Sequence, residues 1–359
     1  MLKNSQSFAK QALYNAFRFM INVGFVFLFQ MMFHVENTLT AVALGVGFTM
    51  LPTCDLGIRP VTMSLIVLIL YIGGGIVAQS ALWNPFLAFL INFCFLVLLL
   101  SLISEPMEIK ANISFLLCFV FSQSTAVPWA QFNGRIACVC FGACLVSLCI
   151  LIHWKRKGFG KNGCNFKQQF QRSKQHHSYI LRMSLGISIA MFVASVLHLS
   201  KPLWISIVVM SLTQLEFCET LERIRHRFLG TLVGVVLFFI FFQYIIPQQY
   251  AMFVIMFLGY IGFFLPEYKY KQVINAISAL NASLVILDTK TAIENRVFCL
   301  LLGIVIVMMI YMLASIARAA FHLKRWSVET ALADDHPWKR KAMKYYPKIQ
   351  IIQHKKTAD

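Results

Sequence analysis

Apolar runs as long as a bilayer is thick recur along this chain, and nothing constrains its fold more. The stretch FLAFLINFCFLVLLLSLI, residues 86–103, carries no charge over its whole length, and a run of this kind is long enough for a membrane-spanning helix. Hydrophobic residues make up 59% of the 359 positions and charged ones 13%, with a mean hydropathy of +0.71. A water-soluble domain has no interior large enough for that much apolar side chain.

Walking along the chain with a window of about twenty residues predicts twelve spans. Six fall at 17–35, 38–52, 60–79, 84–103, 112–131 and 134–153, and six more at 178–199, 202–216, 227–246, 250–266, 271–288 and 295–317. The expected architecture is therefore an all-α membrane protein of twelve transmembrane helices. Residues 1–153 form a first set of six, 154–177 a basic cytoplasmic linker, 178–317 a second set of six, and 318–359 a basic, amphipathic cytoplasmic tail. The N-terminal segment has no evident cleavage site, so the first span is expected to be retained.

Lys and Arg number 32 against 14 Asp and Glu. Threaded from a cytoplasmic N-terminus, the twelve spans leave only Arg135, Lys201, Lys290 and Arg296 of those bases outside, as the positive-inside rule requires. The bases lie between apolar runs rather than on a polar domain, which argues against nucleic acid as a partner. Eight of the ten cysteines lie in or beside apolar runs, with no CxxC and no Cys/His cluster, so no metal site is expected. Histidines gather at span ends and in the tails without a recognisable nucleophile and base, and no nucleotide-binding motif occurs. Neither an enzyme nor a cofactor is expected.

The two halves echo one another. A shift of 164 residues lays TLTAVALGVGFTMLP on PLWISIVVMSLTQLE, Thr49 on Thr213, Asp55 on Glu219 and Arg59 on Arg223. A shift of 161 lays Arg135 on Arg296, Cys138 on Cys299 and Gly142 on Gly303. These matches predict a parallel two-repeat arrangement. In each half an acid and an arginine stand four residues apart, where a helical turn would let them pair. The second span of each half is short, and paired short spans point to a transport site.

The stretch RHRFLGTLVG, residues 225–234, brings bases to the mouth of a span and follows them with Gly230, Thr231 and Gly234, a spacing that permits close helix packing. With Trp204 before it and Arg227 at its head, this arrangement resembles the fusaric acid resistance and aromatic acid exporter superfamily. The resemblance is clearest over 180–317 and weaker over 12–153, where Arg59 is kept but the Gly-Thr pair is missing. Members of that family often carry a large cytosolic domain where this chain has a linker and a tail. The resemblance implies secondary export of organic anions, commonly aromatic carboxylates, across the bacterial inner membrane, in some members beside a periplasmic adaptor protein. Plant relatives are anion channels, the alternative reading. Small organic anions, the lipid bilayer, an adaptor and a second copy of the chain are the expected partners.

Guanidinium groups hold carboxylates in a bidentate fork, which makes Arg59, Arg223 and Arg227 the expected binding or gating residues. Thr49, Thr213 and Gln214, polar groups within the short spans, and Asp55 and Glu219, at predicted membrane ends, are the further expected binding or gating residues. Asp55, Glu216 and Glu219 are the acids available for proton coupling. Ser122, Gln123, Ser124, Thr125, Asn275, Ser278 and Asn281 are polar groups within spans, where a path or an interhelical hydrogen bond would use them. For topology, reporter fusions at Lys161, at Gln248 and at the C-terminus are expected to report inside, outside and inside; a periplasmic C-terminal fusion would overturn the twelve-span thread.

Overall fold

Every one of the twelve apolar segments coincides with an α-helix in the computed structural model, which describes residues 2–265, 267–284 and 287–333. The first set comprises α1 (Leu2–Phe33), α2 (Thr38–Met50), α3 (Pro60–Ala78), α4 (Pro85–Ile103), α5 (Asn112–Ser124) and α6 (Phe132–Lys157). A short helix, α7 (Phe166–Ser173), interrupts the linker. The second set is α8 (His177–Val196), α9 (Leu203–Leu212), α10 (Phe217–Ile240), α11 (Ala251–Ile261), α12 (Tyr268–Ser283) and α13 (Thr289–Ala333). Among the described residues there is no β-strand, and the chain is a multi-pass, all-helical membrane protein.

Six helical segments are long and apolar enough to cross a bilayer: Lys10–Phe33, Pro60–Leu82, Pro85–Ile103, Trp129–Lys157, Phe166–Val196 and Thr289–Ala317. α5, α9 and α11 are apolar but short. At ten residues α9 is about 15 Å long and at thirteen α2 is about 20 Å, against about 30 Å of hydrocarbon. The shortness expected of the second helix in each half is therefore present, and greater than the sequence suggests.

Local chemistry fixes the ends. Pro60 and Pro85 open α3 and α4 at positions where a missing N–H costs nothing. The Asn84 side chain accepts from the Phe86 N–H at 3.0 Å. α6 closes on Lys155, Arg156 and Lys157 with Gly158 left-handed at φ 72°, cations and glycine both suiting a helix C-terminus. α5 ends at Ser124, seven residues before its expected end, because the Thr125 hydroxyl turns back to the Phe121 carbonyl at 2.7 Å and Pro128 follows. α10 starts ten residues before the expected 227, so the charged stretch ahead of Arg227 is helix rather than turn.

Three expectations about the polar segments change. Residues 55–59 are not helical: Arg59 is extended ahead of Pro60, Gly57 has φ 63°, and Asp55 accepts from the Gly57 N–H, so the expected Asp55–Arg59 pair is replaced by a loop. The linker does not hang free. Its Cys164 N–H donates to the Gly57 carbonyl at 2.9 Å, and Gln169 and Ser173 of α7 donate to the carbonyls of Glu105 and Ser101. A Cβ on Gly160 would stand 2.0 Å from the Ile58 carbonyl oxygen, so only glycine allows this approach. The expected amphipathic tail begins as helix, since α13 runs on to Ala333, and residues 334–359 lie outside those described.

The chain divides into two compact units, Met1–Met308 and Met309–Asp359. In the second, Met309–Ala333 is the continuous end of α13. In the first, α3 packs on α5 and α6, α2 on α5, α4 on α8, and α10 on α12. Hydroxyls join helices across the core, Thr40 to Ser122 at 3.1 Å and Ser64 to Ser147. Such bonds contribute where apolar contact alone gives helices no preference over lipid.

The glycine motif does what its spacing suggests. A Cβ on Gly230 would come within 2.8 Å of the Gln272 Cβ, and one on Gly234 within 2.6 Å of the Ala276 Cβ and 2.9 Å of the Val273 carbonyl oxygen. α10 and α12 thus meet backbone to backbone. Gly234→Ala is expected to lower stability by about 1–3 kcal/mol through overpacking, and Gly234→Leu to prevent assembly. Thermal unfolding and gel filtration in detergent would show this; wild-type behaviour of Gly234→Leu would refute the close contact.

Candidate functional site

α9 ends at Leu212, inside the protein, and the carbonyl groups of its last turn need donors. Arg223 supplies one, and further bases gather around the helix end and the segment that follows it. Arg223 Nη1 donates to the Ser211 carbonyl at 3.3 Å, with its guanidinium 4.9 Å from the centre of the Tyr268 ring. Arg227 donates to the Ser211 hydroxyl and, at 3.4 Å, to the Tyr268 hydroxyl. Arg182 of α8 donates to the Leu215 carbonyl at 2.8 Å. Lys110, from the loop between α4 and α5, stands at the rim and donates to Gln214 Oε1 at 3.5 Å.

Four cationic side chains thus gather on residues 211–215. Glu219 is exposed, and its field reaches Lys110; Glu222 is paired with His226. Partial burial and the neighbouring Arg223 charge hold Lys110 below the usual lysine range. Arg227 is 3% exposed, and its Nε, fully buried, finds no acceptor among the described residues. A buried donor on a charged group left unmade costs about 1–3 kcal/mol or more.

A fifth base lies farther along α9. Arg296 of α13 is buried with its guanidinium 5.0 Å from the Trp204 ring centre, and it feels the charge of Arg227. The sequence places Arg296 and Arg227 at opposite ends of the spans. A helix as short as α9 brings them into the same electrostatic neighbourhood.

Among the residues singled out by sequence, Arg223, Arg227, Thr213, Gln214 and Glu219 come together here, with Gly230, Thr231 and Gly234 on the same helix as the arginines. The Thr213 hydroxyl donates to the Val209 carbonyl at 2.9 Å and Gln214 to that of Thr213 at 2.8 Å, so both secure the end of α9. Arg223 reaches across to Ser211 instead of pairing with Glu219 along its own helix.

The first-half residues do not join the cluster. Thr49 donates to the Gly45 carbonyl at 3.0 Å, repeating the Thr213 bond 164 positions earlier. Arg59 is exposed and donates to the linker's Gly163 carbonyl at 3.2 Å, while Asp55 caps its own loop. Sequence reasoning missed Lys110, Ser211 and Tyr268 as members of the site. Lys110 sits in a short polar connection and Tyr268 at the first position of α12, with no motif around either, and Ser211 is one hydroxyl in an apolar helix. Arg182 was visible only as one of several arginines at the cytoplasmic mouth able to hold a carboxylate, and Arg296 as the counterpart of Arg135, an echo that gave no role.

With this geometry in view, the comparison with known proteins falls on the half that carries the cluster. Residues 189–310 match the family model described as fusaric acid resistance protein-like. That stretch of the chain is similar to this family, over about a third of the sequence. It contains Arg223, Arg227, Arg296 and the glycine motif, but not Arg182 or Lys110. Over 71 residues the chain is also 34% identical to the Uncharacterized protein YhfK of Escherichia coli (strain K12), across 20% of this chain and 10% of that relative. The chain thus spans about a tenth of that relative's length. No solved structure matches the chain.

Arg59 therefore serves the linker rather than the cluster. Arg59→Ala is expected to make residues 158–165 more open to protease while leaving the protein assembled, since exposed substitutions cost within about 0.5 kcal/mol. Limited proteolysis in detergent would check it, and unchanged cleavage would show that the strap holds without Arg59.

Proposed function

We propose that the protein is a secondary transporter that exports organic anions, aromatic or otherwise hydrophobic carboxylic acids, across the bacterial inner membrane. The observation that carries this reading is Arg227, buried at the end of α9 beside half-buried Arg223, with its Nε left without an acceptor among the described residues. An anion that took the place of the main-chain carbonyls would satisfy these donors and neutralise charge that burial makes costly.

In this reading Arg227 and Arg223 hold the carboxylate, Arg182 and Lys110 collect it from the cytoplasmic side, and Arg296 takes part as it moves along α9. Tyr268 and Trp204 offer aromatic faces near the charges. Glu219 and Glu216, at the mouth, are the acids placed to couple transport to protons. The fusaric acid resistance protein-like match over 189–310 supports export as the activity.

The architecture we propose for this cycle is two parallel six-helix repeats, 1–153 and 178–317, joined by the linker 154–177 and followed by the tail 318–359, with both termini cytoplasmic. Two contacts support the repeat. A Cβ on Gly142 would lie 2.5 Å from a Leu44 methyl, and one on Gly303 2.5 Å from a Val208 methyl; Leu44 and Val208 are 164 residues apart. A second copy or a periplasmic adaptor completes the assembly.

Sealed inside-out vesicles test the activity. Benzoate should accumulate against its gradient and stop doing so with a protonophore, whereas a current that only follows the electrochemical gradient would assign an anion channel. At matched membrane abundance Arg227→Ala should transport at least about tenfold more slowly, and Arg227→Lys should restore little, since a point charge does not reproduce the guanidinium fork. Transport by Arg227→Ala at the wild-type rate would remove the cluster from the path.

A further inference from the structure

A cavity of about 300 Å³ opens between α4, α5, α8 and α9, on the side of α9 away from its arginine-bound end. It is large enough for a small ring-bearing molecule. Phe89 and Phe192, whose centroids are 5.9 Å apart at 68°, give it an aromatic wall, and His198, with a left-handed backbone at φ 47°, stands among its lining residues. Asn92, Gln123 and Ser206 bring polar groups into the lining. Among the described residues, no Lys, Arg, Asp or Glu lines it.

Two of those polar groups lack partners. Ser206 is 1% exposed, yet its hydroxyl makes no hydrogen bond among the described residues, and neither does the Gln123 amide, whereas Asn92 already accepts from Ser80 at 3.1 Å. Buried hydroxyls such as that of Ser206 are nearly always satisfied, and the half-buried Gln123 amide faces the same cavity. A lipid acyl chain in the cavity would leave both groups unmet. A carboxylate would find no fixed cation to neutralise it. A ring carrying an uncharged hydroxyl or amide would meet the phenyl faces and supply both missing hydrogen bonds.

We infer that this cavity is a binding site for uncharged aromatic molecules bearing a hydroxyl or amide group, distinct from the anion site at the other end of α9. It stands on the lining of this cavity alone and does not depend on the transport reading. Its relation to that reading is spatial: Ser206 and Ser211 lie five residues apart on one helix, about 7.5 Å along its axis.

The test uses full-length protein in nanodiscs with 1-naphthol as the probe and 1-naphthoate as its charged counterpart, binding being read by equilibrium dialysis. Saturable naphthol binding is expected, at least about tenfold tighter than naphthoate binding in an Arg227→Ala background, where the anion site is disabled. Ala88→Trp, which fills the cavity, should abolish naphthol binding. Gln123→Leu and Ser206→Ala, which keep its volume, should each weaken binding severalfold, so the result does not rest on one bulky variant that fails to fold. Arg227→Ala itself should leave naphthol affinity unchanged. Naphthoate binding as tight as naphthol in that background, or naphthol binding unmoved by Gln123→Leu and Ser206→Ala, would overturn the assignment. So would phospholipid that co-purifies with wild type but not with Ala88→Trp, because an acyl chain would then be the occupant. Loss of anion transport in Arg227→Ala with naphthol binding intact would support both sites, and intact transport there would count against the anion site alone.

Discussion

A helix that stops inside a membrane protein has to find donors for its last carbonyl groups, because hydrocarbon offers none. α9 stops after ten residues, and much of the second half is arranged around that stop. Arg223 and Arg227 reach it from α10, Arg182 from α8, and Lys110 from the first half. For α10 to deliver its arginines, it must lie close to the start of α12, where Tyr268 sits, and the glycines one and two turns beyond Arg227 let it pack against α12 at backbone distance. The glycine motif and the arginine are thus parts of one arrangement: the first sets the helix separation that the second needs.

Residues that correspond across the two halves by sequence shift are engaged differently. Arg135 and Arg296 occupy matching positions at the beginning of α6 and α13. Arg135 is fully engaged, donating to the carbonyls of Glu36, Ser122 and Thr125 and to the Asn37 side chain, so it ties the N-terminal end of α2 to its neighbours. Arg296 lies against the Trp204 ring instead. A guanidinium on an aromatic face keeps N–H groups for another partner, whereas one ringed by carbonyls has none to give. The same division separates Thr49, Asp55 and Arg59, all spent on local bonds, from the residues around α9. The arginine cluster lies mostly in the second half, which is also where the family match lies.

The helices were legible because hydrophobic runs of membrane length leave few alternatives, and the short second helices were legible because their flanks are polar on both sides. Their ends were less so. Thr125 closing on Phe121 and helix running back from Arg227 to Phe217 depend on single hydrogen bonds and on charge that helices tolerate, and a hydropathy window averages over both. At the site, spacing identified the arginines and the threonine, but not what they touch. Asp55 and Arg59 have the same spacing as Glu219 and Arg223, yet Gly57 and Pro60 break the helix that would have paired them. Lys110 and Ser211 lie about a hundred residues apart in sequence and meet only through the tertiary fold.

Holding several guanidinium groups near one helix end without carboxylates has an energetic consequence. Paired to acids, the arginines would be locked, since separating a buried ion pair costs about 3–5 kcal/mol. Arg223 and Arg182, bound to neutral carbonyls, and Arg227, bound to the Ser211 and Tyr268 hydroxyls, are held in position by weaker bonds. In the function we propose, an incoming anion would offer them a stronger acceptor. That exchange would release the Ser211 and Leu215 carbonyls and loosen the end of α9, which Thr213 and Gln214 also secure. On that proposal, anion binding and movement of α9 would be coupled through shared hydrogen bonds at the end of a short helix.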